Sequence, residues 1–413
     1  MQHWKRRYAI LWSGQAISLL TSSILQMALI WCLTDATQSA LVLSLASLAG
    51  YLPSALLGLV AGTLVDRMSR KAAMIGADLF IAAVSLALVF AAWSGDLPVW
   101  LVLTVLALRS VGSAFHTPAI STAAPLLVPA DQLTRCAGYT QSLQTIGYIA
   151  GTALAGVLYP VWNVSAMVAL DVVGAVAACL AVAVIRIPSV EKRPRPAKPG
   201  LLRESKEGYD ILRLQKGLFA LLWSAAVFMV LYSPVSALFP LMSLGHFGGT
   251  TVHASIAEIA FAVGMLAGGL LLGAKGSLGS RGFSVSFAVA LMGLAICLSG
   301  LLPPGGFWWF AAFCVVMGLS CPIYNAPVTA LRQERVPPED LGRVFGLYGS
   351  VCSLAMPIGL ALSGLFADRV GTPHWFAITG MLCLLLAVSM YLTPSIRRID
   401  TPQRPPESGP AAS

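Results

Sequence analysis

The chain alternates long apolar stretches with short polar segments along nearly its whole length. Twelve apolar runs begin near residues 8, 40, 72, 98, 134, 163, 217, 252, 282, 306, 340 and 372. Each is about 20 residues or longer, the length that a helix needs to cross the hydrocarbon core of a bilayer. The pattern therefore predicts an all-α membrane protein with twelve transmembrane helices, numbered here as spans one to twelve.

Composition and charge agree with this prediction. The chain is 57% hydrophobic and 10% charged, whereas soluble domains average about 25% charged residues. The net charge is +9, and 24 of the 26 Lys and Arg residues fall in segments that are cytoplasmic if both termini are inside. Positive residues concentrate in the cytoplasmic loops of membrane proteins. The lipid bilayer is therefore the predicted environment, and no basic surface is left to bind nucleic acid.

One polar segment occurs twice. Residues 128–138 read VPADQLTRCAG, and residues 336–346, which lie 208 positions later, read VPPEDLGRVFG. The correspondence continues into the apolar runs that follow, where Gly151 maps onto Gly359. The fifth and eleventh spans are thus versions of one helix, which predicts a pair of six-helix pseudo-repeats. Duplicated transporter bundles bind substrate near the membrane midplane, between halves that rock against each other.

The polar segments divide the chain into four parts. Residues 1–188 form the first predicted bundle, and residues 217–394 form the second. Residues 189–216 begin with a basic, proline-rich stretch and end with apolar residues at helical spacing. They are predicted to form a cytoplasmic linker with a short amphipathic helix. Residues 395–413 are predicted to form a disordered cytoplasmic tail.

The loop after the second span carries the clearest motif, GTLVDRMSRKAAM. It resembles the signature loop of the major facilitator superfamily, with matches at Gly62, Leu64, Asp66, Arg67, Arg70 and Lys71 and with Ser69 in place of a glycine. The resemblance implies that Asp66 lies at the N-terminal end of the eleventh span and latches the cytoplasmic gate. A carboxylate is stabilised at such a helix end. We expect Asp78 to help hold this latch with Arg67, Arg70 or Lys71. The alternative is a basic loop that only fixes the topology.

Two further motifs extend the resemblance. GYIAGTALAG, which carries Gly147, Gly151 and Gly156, resembles the antiporter motif of the fifth span, with Thr152 in place of the family's proline. Small residues at this spacing let helices approach closely. Arg109, followed by SVGSAFHTP, partly resembles the arginine motif of the fourth span.

Apart from the linker and the tail, the whole chain resembles the macrolide-efflux branch of the drug:proton antiporters. Three segments carry the likeness: LLVPADQLTRCAGYTQSLQTIGYIAG, HFGGTTVHASIAEIAFAVGMLAGGLLLG and LGRVFGLYGSVCSLAMPIGLALSGLFADRVG. The resemblance implies proton-driven export of macrolides across a bacterial cell (inner) membrane, and hence antibiotic resistance. We expect a monomer without a cofactor. Substrate range is the property that transfers least well between relatives.

Four ionisable residues lie within predicted spans: Asp78, Arg109, Asp171 and Glu258. Ionisable side chains are costly in a membrane, so each is a hypothesis of function. Glu258 lies near the outer start of the eighth span, which meets the fifth span across the two halves in the resembled fold. Apolar surroundings favour the protonated carboxyl, which suits a proton carrier. The alternative for Glu258 is a static hydrogen bond between helices.

Arg109 and Asp171 provide a second coupling hypothesis. Arg109 lies near the middle of the fourth span, where pairing with a carboxylate can couple protonation to a change of shape. A permanent salt bridge is the alternative. Asp171, on the sixth span, is a second candidate for the proton carrier.

A macrolide needs a wide, mostly apolar cavity with a few polar anchors. Spans one, seven and ten line the cavity in the resembled fold. The candidate cavity residues on these spans are Gln15, Gln26, Met229, Tyr232, Tyr324 and Asn325. Helical spacing alone does not decide which of them face inward.

Other classes of function fit less well. GGLLLGAKGS approaches a nucleotide-binding loop, but Lys275 falls one residue late and no soluble nucleotide domain accompanies it. The eight cysteines form no Cys-x-x-Cys pair, and the histidines make no metal-ligand pattern, which disfavours an intramembrane enzyme. The duplication and the gate latch disfavour a channel. The remaining alternative is a proton-coupled exporter of an endogenous metabolite or a siderophore.

Overall fold

The chain folds into two groups of six long helices. The structure is a computed structural model and describes residues 3–93, 97–129, 133–186, 201–275, 279–336 and 340–400. The first half contains α1 His3–Thr37, α2 Ala40–Arg67, α3 Arg70–Trp93, α4 Val99–Leu127, α5 Leu133–Leu158 and α6 Val164–Val184. After the short helix α7, Leu201–Leu214, the second half contains α8 Lys216–Pro240, α9 Thr251–Lys275, α10 Arg281–Gly300, α11 Phe307–Arg335, α12 Leu341–Val370 and α13 Thr372–Leu392. A last short helix, α14, covers Pro394–Arg397.

These helices confirm the prediction of an all-α fold with twelve spans. Eleven described helical stretches are long and apolar enough to cross a membrane. α5 supplies the twelfth span, with 26 residues that include the apolar part Ile146–Leu158. Spans one to six are α1–α6, and spans seven to twelve are α8–α13.

Side-chain caps define several helix starts. Ser39, Asn163 and Ser280 each precede a helix in extended conformation and accept a hydrogen bond from the backbone N–H three residues later. Such caps satisfy N–H groups that have no acceptor within the helix. Gly371 alone joins α12 to α13, with a φ of 88° that glycine adopts without strain.

The two halves repeat the same packing. α1 contacts α5 and α6, α2 contacts α4, and α3 contacts α4 and α6. In the second half, α8 contacts α12 and α13, α9 contacts α11, and α10 contacts α11 and α13. Each helix therefore keeps the partners of its counterpart six spans earlier, as the duplicated sequence predicts. The halves meet along two equivalent seams, α2 with α12 and α5 with α9.

The hydrophobic cores differ between the two ends of the bundle. We call the end at which α1 begins the basic end and the end at which α1 finishes the distal end. Toward the distal end, one core contains residues of both halves, such as Leu29 and Leu238. At the basic end, Met74 lies in a core of the first half and Val289 lies in a separate core of the second. Among the described residues, the halves thus share a core at the distal end, whereas each half has its own core at the basic end.

The helix α7 occupies the place of the predicted amphipathic helix. Its Leu212 is buried in the basic-end core of the second half. The Tyr209 ring lies 5.4 Å from the ring of Phe219 on α8, in an edge-to-face arrangement. The preceding linker residues, 189–200, lie outside the described residues.

The segment predicted as a tail begins with packed residues. α14 and the residues up to 400 are described, and both Ile396 and Ile399 are buried in the basic-end core of the second half. Two isoleucines at this spacing lie on one face of a helical turn, which explains why they pack onto the bundle. Residues 401–413 lie outside the described residues, and the prediction of a disordered tail there stays a prediction.

Candidate substrate and coupling site

A cavity of about 710 Å³ lies between the two halves, with walls from α5, α8, α9 and α11. Its lining is mostly apolar and aromatic and includes Tyr148, Tyr232, Phe239 and Phe261. Glu258 is the one carboxylate among the described lining residues. Pockets for drug-sized ligands have volumes of about 300–1,000 Å³. The cavity therefore has the size and the lining for an apolar ligand with one polar or charged anchor.

Glu258 of α9 is paired with Tyr148 of α5 across the junction of the halves. The Tyr148 hydroxyl donates a hydrogen bond of 3.0 Å to Glu258 Oε2. One turn closer to the distal end, Ser255 Oγ donates a 3.0 Å hydrogen bond to the carbonyl oxygen of Thr152. Glu258 therefore lies where the closed seam between α5 and α9 ends and the cavity wall begins.

A second cavity, of about 260 Å³, lies within the first half. Tyr148 lines both this cavity and the main one, so the two spaces adjoin. The predicted residues Gln26 and Arg109 both line the second cavity. Polar residues of α1 and α4 also lie along its wall: Ser22, Ser23, Ser110 and Ser113.

Arg109 and Asp171 form a buried ion pair beside the second cavity. Arg109 Nη1 lies 2.5 Å from Asp171 Oδ2, and the two side chains are 9% and 2% exposed. Ser22 Oγ donates a 2.7 Å hydrogen bond to Asp171 Oδ1, and the Arg109 guanidinium also donates to Ser85 Oγ. The structure therefore brings these two predicted residues together and ties α1, α3, α4 and α6 at one point. Glu258 lies apart from the pair, on the other half.

The four predicted cavity residues of the second half line a smaller space of about 120 Å³: Met229, Tyr232, Tyr324 and Asn325. Tyr232 also lines the main cavity. The Phe228 ring stacks on Tyr232 and on Tyr324, with ring centroids 5.5 and 6.1 Å apart and interplanar angles of 10° and 20°. Stacked aromatic side chains offer their faces to apolar or cationic ligands.

Gln15 is the predicted cavity residue that the structure places elsewhere. Its side chain is 2% exposed inside the first half, beside Asp78, and it lines none of the three cavities described above. Gln15 and Gln26 are eleven residues apart and so lie on the same stripe of α1. Near the basic end, however, α1 packs tightly on α6, where a Cβ on Gly14 would overlap the Ala181 side chain. That stripe therefore faces the interior of the first half at Gln15 and the cavity at Gln26.

The predicted cytoplasmic latch lies only partly within the described residues. Gly62, Asp66 and Arg67 lie in α2, and the side chains of Asp66 and Arg67 are outside the described part. Arg70 begins α3. Lys71 Nζ donates hydrogen bonds to the carbonyl oxygens of Ala183 at 2.5 Å and Ile185 at 3.2 Å, so it caps the end of α6.

Asp78 contacts a histidine rather than the basic residues at the start of its helix. It is buried, and its Oδ1 lies 3.3 Å from His116 Nε2 on α4. The expected latch partners of Asp78 are Arg67, Arg70 or Lys71; the side chain of Arg67 lies outside the described part, so a latch role for Asp78 stays a prediction. Eight residues of helix separate Asp78 from Arg70, a rise of about 12 Å, so the carboxylate meets a neighbouring helix instead of the loop.

Two glycines of the antiporter motif lie at close helix contacts. A Cβ on Gly151 would come within 2.5 Å of Ser23 Cβ on α1, and a Cβ on Gly156 would overlap the Ser255 side chain on α9. Gly147 has more room, since the nearest atom would be Leu19 Cβ at 3.7 Å. The small residues of this motif thus let α5 approach α1 and α9, as their spacing predicts.

Sequence reasoning missed Tyr148 and His116. Tyr148 stands among small and apolar residues of a span, and a polar hydroxyl in that setting needs a partner. His116 is ionisable and lies within the fourth span, so a search that counted histidine with Asp, Glu and Arg would have found it.

Comparisons with known proteins identify the family. The model of the transmembrane secretion effector family, within the major facilitator superfamily, matches residues 4–409. Macrolide efflux protein A of Streptococcus pyogenes is 52% identical over 398 residues, which cover 96% of this chain and 98% of that protein. Multidrug efflux pump Tap of Mycolicibacterium fortuitum is 28% identical over 396 residues, which cover 91% of this chain and 92% of that protein.

Solved structures share the fold at low sequence identity. A POT family transporter in complex with 5-aminolevulinic acid has a TM-score of 0.71 at 13% identity, covering 95% of this chain and 96% of that one. A bacterial homologue of the human lysosomal transporter Spinster, in an inward-facing and unoccupied conformation, has a TM-score of 0.68 at 13% identity, covering 98% and 100%. With its twelve helices and its family match, the chain belongs to the transmembrane secretion effector family of major facilitator transporters and is not an enzyme.

Proposed function

We propose that the protein exports macrolides from a bacterial cell in exchange for protons, by alternating access. The observation that carries this proposal is the position of Glu258, a carboxylate in the wall of a drug-sized cavity at the junction of the two halves. The 52% identity to Macrolide efflux protein A supports macrolides as the substrate class.

In this proposal the basic end faces the cytoplasm, and both termini lie there. The concentration of Lys and Arg in the segments of that end supports this orientation. The described conformation then corresponds to an inward-open state, because the halves share a core at the distal end and have separate cores at the basic end. One chain supplies both walls of the main cavity, which supports a monomer as the transporting unit.

Glu258 is the proposed binding site of the exchanged proton. Ionised in the inward-open state, it accepts the hydrogen bond from Tyr148 and presents a negative charge to the cavity. Macrolide amino sugars carry a cationic amine, and an anion among aromatic rings favours such a group. Drug therefore enters from the cytoplasm and binds with its amine toward Glu258.

Release on the far side then follows from protonation. When the halves rock and the distal end opens, a proton from outside neutralises Glu258, and the attraction between carboxylate and amine is lost. The drug leaves, and the neutral carboxyl permits the return of the halves with less cost of burying charge. The proton dissociates into the cytoplasm, so one proton moves inward for each drug molecule that moves outward.

Arg109 and Asp171 are the proposed second coupling pair. They join four helices of the first half beside a cavity that adjoins Glu258 through Tyr148. Protonation of Asp171 would free the guanidinium, and the helices at this point would then repack. Asp171 is therefore a second candidate for the proton carrier.

The test is erythromycin accumulation in pump-deficient bacteria that express the chain, with and without a protonophore. Wild type should keep accumulation low, and the protonophore should raise it. Glu258→Gln, which cannot ionise, should accumulate drug like the empty vector while reaching the membrane in normal amounts. The matched control is Glu334→Gln, which alters an exposed glutamate that pairs with Arg281 at the basic end, and this variant should export normally.

Two other outcomes would change the proposal. If wild type gives no protection against macrolides, the substrate assignment fails and an endogenous metabolite or siderophore becomes the leading substrate class. If Glu258→Gln still exports drug uphill, another group carries the proton, and Asp171→Asn is the next variant to measure.

A further inference from the structure

The distal end of α12 holds the distal start of α2, which belongs to the other half. Asp368 Oδ2 accepts hydrogen bonds from Ser39 Oγ at 2.8 Å and from the Leu41 N–H at 3.2 Å. Asp368 Oδ1 accepts one from the Ala40 N–H at 2.5 Å. One carboxylate thus receives three donors from the opposite half of the molecule; we call this set of contacts the distal clasp.

The donors belong to a helix start that its own sequence caps only in part. The first N–H groups of a helix have no acceptor within it, and their partial positive charge favours an anion. Ser39 accepts a hydrogen bond from the Val42 N–H at 3.4 Å. The N–H groups of Ala40 and Leu41 bind Asp368 instead. The start of α2 is therefore fully capped only while the two halves are in contact at this end.

Tight turns hold both sides of the distal clasp. Gln38 adopts a φ of 47°, in the left-handed region that non-glycine residues seldom occupy, and α1 turns into α2 within two residues. On the other side, Gly371 turns α12 directly into α13 with a φ of 88°. The carboxylate and its donors are therefore carried by the ends of rigid helices, and a rocking motion of one half moves them apart directly.

The same helix pair makes two neutral contacts deeper in the bundle. Ser44 Oγ lies 2.7 Å from Ser363 Oγ, and the Tyr51 hydroxyl donates a 2.8 Å hydrogen bond to Ser353 Oγ. These contacts continue the α2–α12 seam away from the distal end. Asp368 adds a charged acceptor to this seam, and hydrogen bonds to charged groups are about twice as strong as neutral ones.

We propose that Asp368 is a positioning residue of the transport cycle, whose carboxylate keeps the distal end closed by capping α2. The proposal rests on the alternating access proposed above, because substrate leaves at this end only after the three hydrogen bonds break. Asp35, also at the distal end, accepts its hydrogen bond from Tyr159 of its own half and does not join the halves by that contact. Water can solvate Asp368 and the helix start once they part, so the distal clasp opens reversibly.

Disulfide formation between two introduced cysteines tests this role without drug or proton gradient. Ser44→Cys and Ser363→Cys are combined in a protein whose native cysteines are replaced by serine or alanine, and the rate of oxidative cross-linking reports closure of the distal end. Asp368→Ala should slow cross-linking about tenfold or more, since it removes an ionised acceptor with three donors. Asp368→Glu should restore part of the rate. Arg369→Gln, an exposed neighbour outside the distal clasp, should leave the rate unchanged.

A second variant removes a donor and keeps the carboxylate. Ala40→Pro eliminates the N–H that makes the 2.5 Å contact, and proline is tolerated at the first position of a helix. It should slow cross-linking, though less than Asp368→Ala because two of the three donors remain, and this variant decides the question if Asp368→Ala does not fold. Rates are compared on protein that elutes as a single species in detergent.

The outcomes separate this inference from the proposed function. Cross-linking at the wild-type rate in the folded Asp368 and Ala40 variants would overturn the distal clasp. A protein that exports no macrolide but cross-links more slowly without Asp368 would retain the distal clasp and lose only the proposed substrate.

Discussion

Tyr148 and Glu258 are joined by a 3.0 Å hydrogen bond across the junction of the two halves. The tyrosine belongs to α5 and lines both the main cavity and the cavity beside Arg109. The glutamate belongs to α9, directly beyond the seam in which Ser255 contacts Thr152. Any motion that separates α5 from α9 must break this bond, so in the proposed mechanism the protonation of Glu258 and the conformation of the transporter act on the same contact.

Tyr148→Phe should weaken uphill export without abolishing it. A hydrogen bond to a charged group contributes about 1.5–3 kcal/mol, and its loss makes ionised Glu258 less stable in the inward-open state. Erythromycin accumulation in cells with Tyr148→Phe should therefore be higher than with wild type and lower than with Glu258→Gln. The double variant Tyr148→Phe with Glu258→Gln should accumulate no more drug than Glu258→Gln alone, because both changes remove the same interaction.

A matched control exists for the tyrosine. The Tyr159 hydroxyl also donates a 3.0 Å hydrogen bond to a carboxylate, that of Asp35, but within the first half and away from the cavities. Tyr159→Phe should export like wild type. Equal losses in the two variants would mean that the Tyr148 hydroxyl matters for stability alone.

Variants of the ion pair between Arg109 and Asp171 can distinguish its effect on the stability of the protein from its proposed role in coupling proton and drug transport. Asp171→Ala leaves the guanidinium buried without its partner, which should lower the free energy of unfolding by about 3–5 kcal/mol. Replacing both residues by apolar side chains, as in Arg109→Met with Asp171→Leu, should restore most of the thermal stability in detergent, because no buried charge remains.

We expect this double variant to be stable and yet unable to export erythromycin against a concentration gradient. Thermal unfolding in detergent and erythromycin accumulation in cells that express the same variants give both quantities. Normal export by the stable double variant would show that the pair is a permanent structural salt bridge and takes no part in coupling.

The sequence predicts the fold far better than the site, for a physical reason. A span is a property of one continuous segment, so hydropathy and the positions of Lys and Arg determine it directly. The repeat of VPADQLTRCAG as VPPEDLGRVFG likewise predicts equivalent helices without any knowledge of packing. Charges within spans stand out by the same logic, which is how Glu258, Arg109 and Asp171 are found.

Contacts between helices depend on rotation and tilt, which a single sequence does not contain. The pairing of Arg109 with Asp171, and of Asp78 with His116, requires the relative rotation of α3, α4 and α6. Gln15 illustrates the tilt, because it shares a stripe of α1 with Gln26 and still faces the interior of the first half.

Gly156→Ala should impair the distal seam between α5 and α9. The new Cβ would overlap the Ser255 side chain, and overpacking of this kind costs about 1–3 kcal/mol. Export should fall, and Ser255→Gly in the same chain should restore it, since it removes the obstructing atoms. Gly147→Ala is the control, because the nearest atom to its Cβ would be 3.7 Å away. Failure of Ser255→Gly to rescue export would place the effect of Gly156→Ala outside this contact.

A disulfide between positions 44 and 363 should stop transport by locking the distal end. The two serine hydroxyl oxygens are 2.7 Å apart, so thiols in their place can approach the S–S bond length of about 2.05 Å. Cells or vesicles with the cross-linked protein should show no uphill erythromycin export, because drug bound from the basic end cannot leave at the distal end.

Reduction of the disulfide should restore export in the same sample, which distinguishes a lock from damage. Each single cysteine variant, treated with the same oxidant, should export throughout. Drug binding should survive the cross-link, since in the proposed inward-open state the cavity is reached from the basic end while the distal end is closed. Export that continues with the disulfide intact would rule out opening at the α2–α12 seam and leave the α5–α9 seam as the path of release.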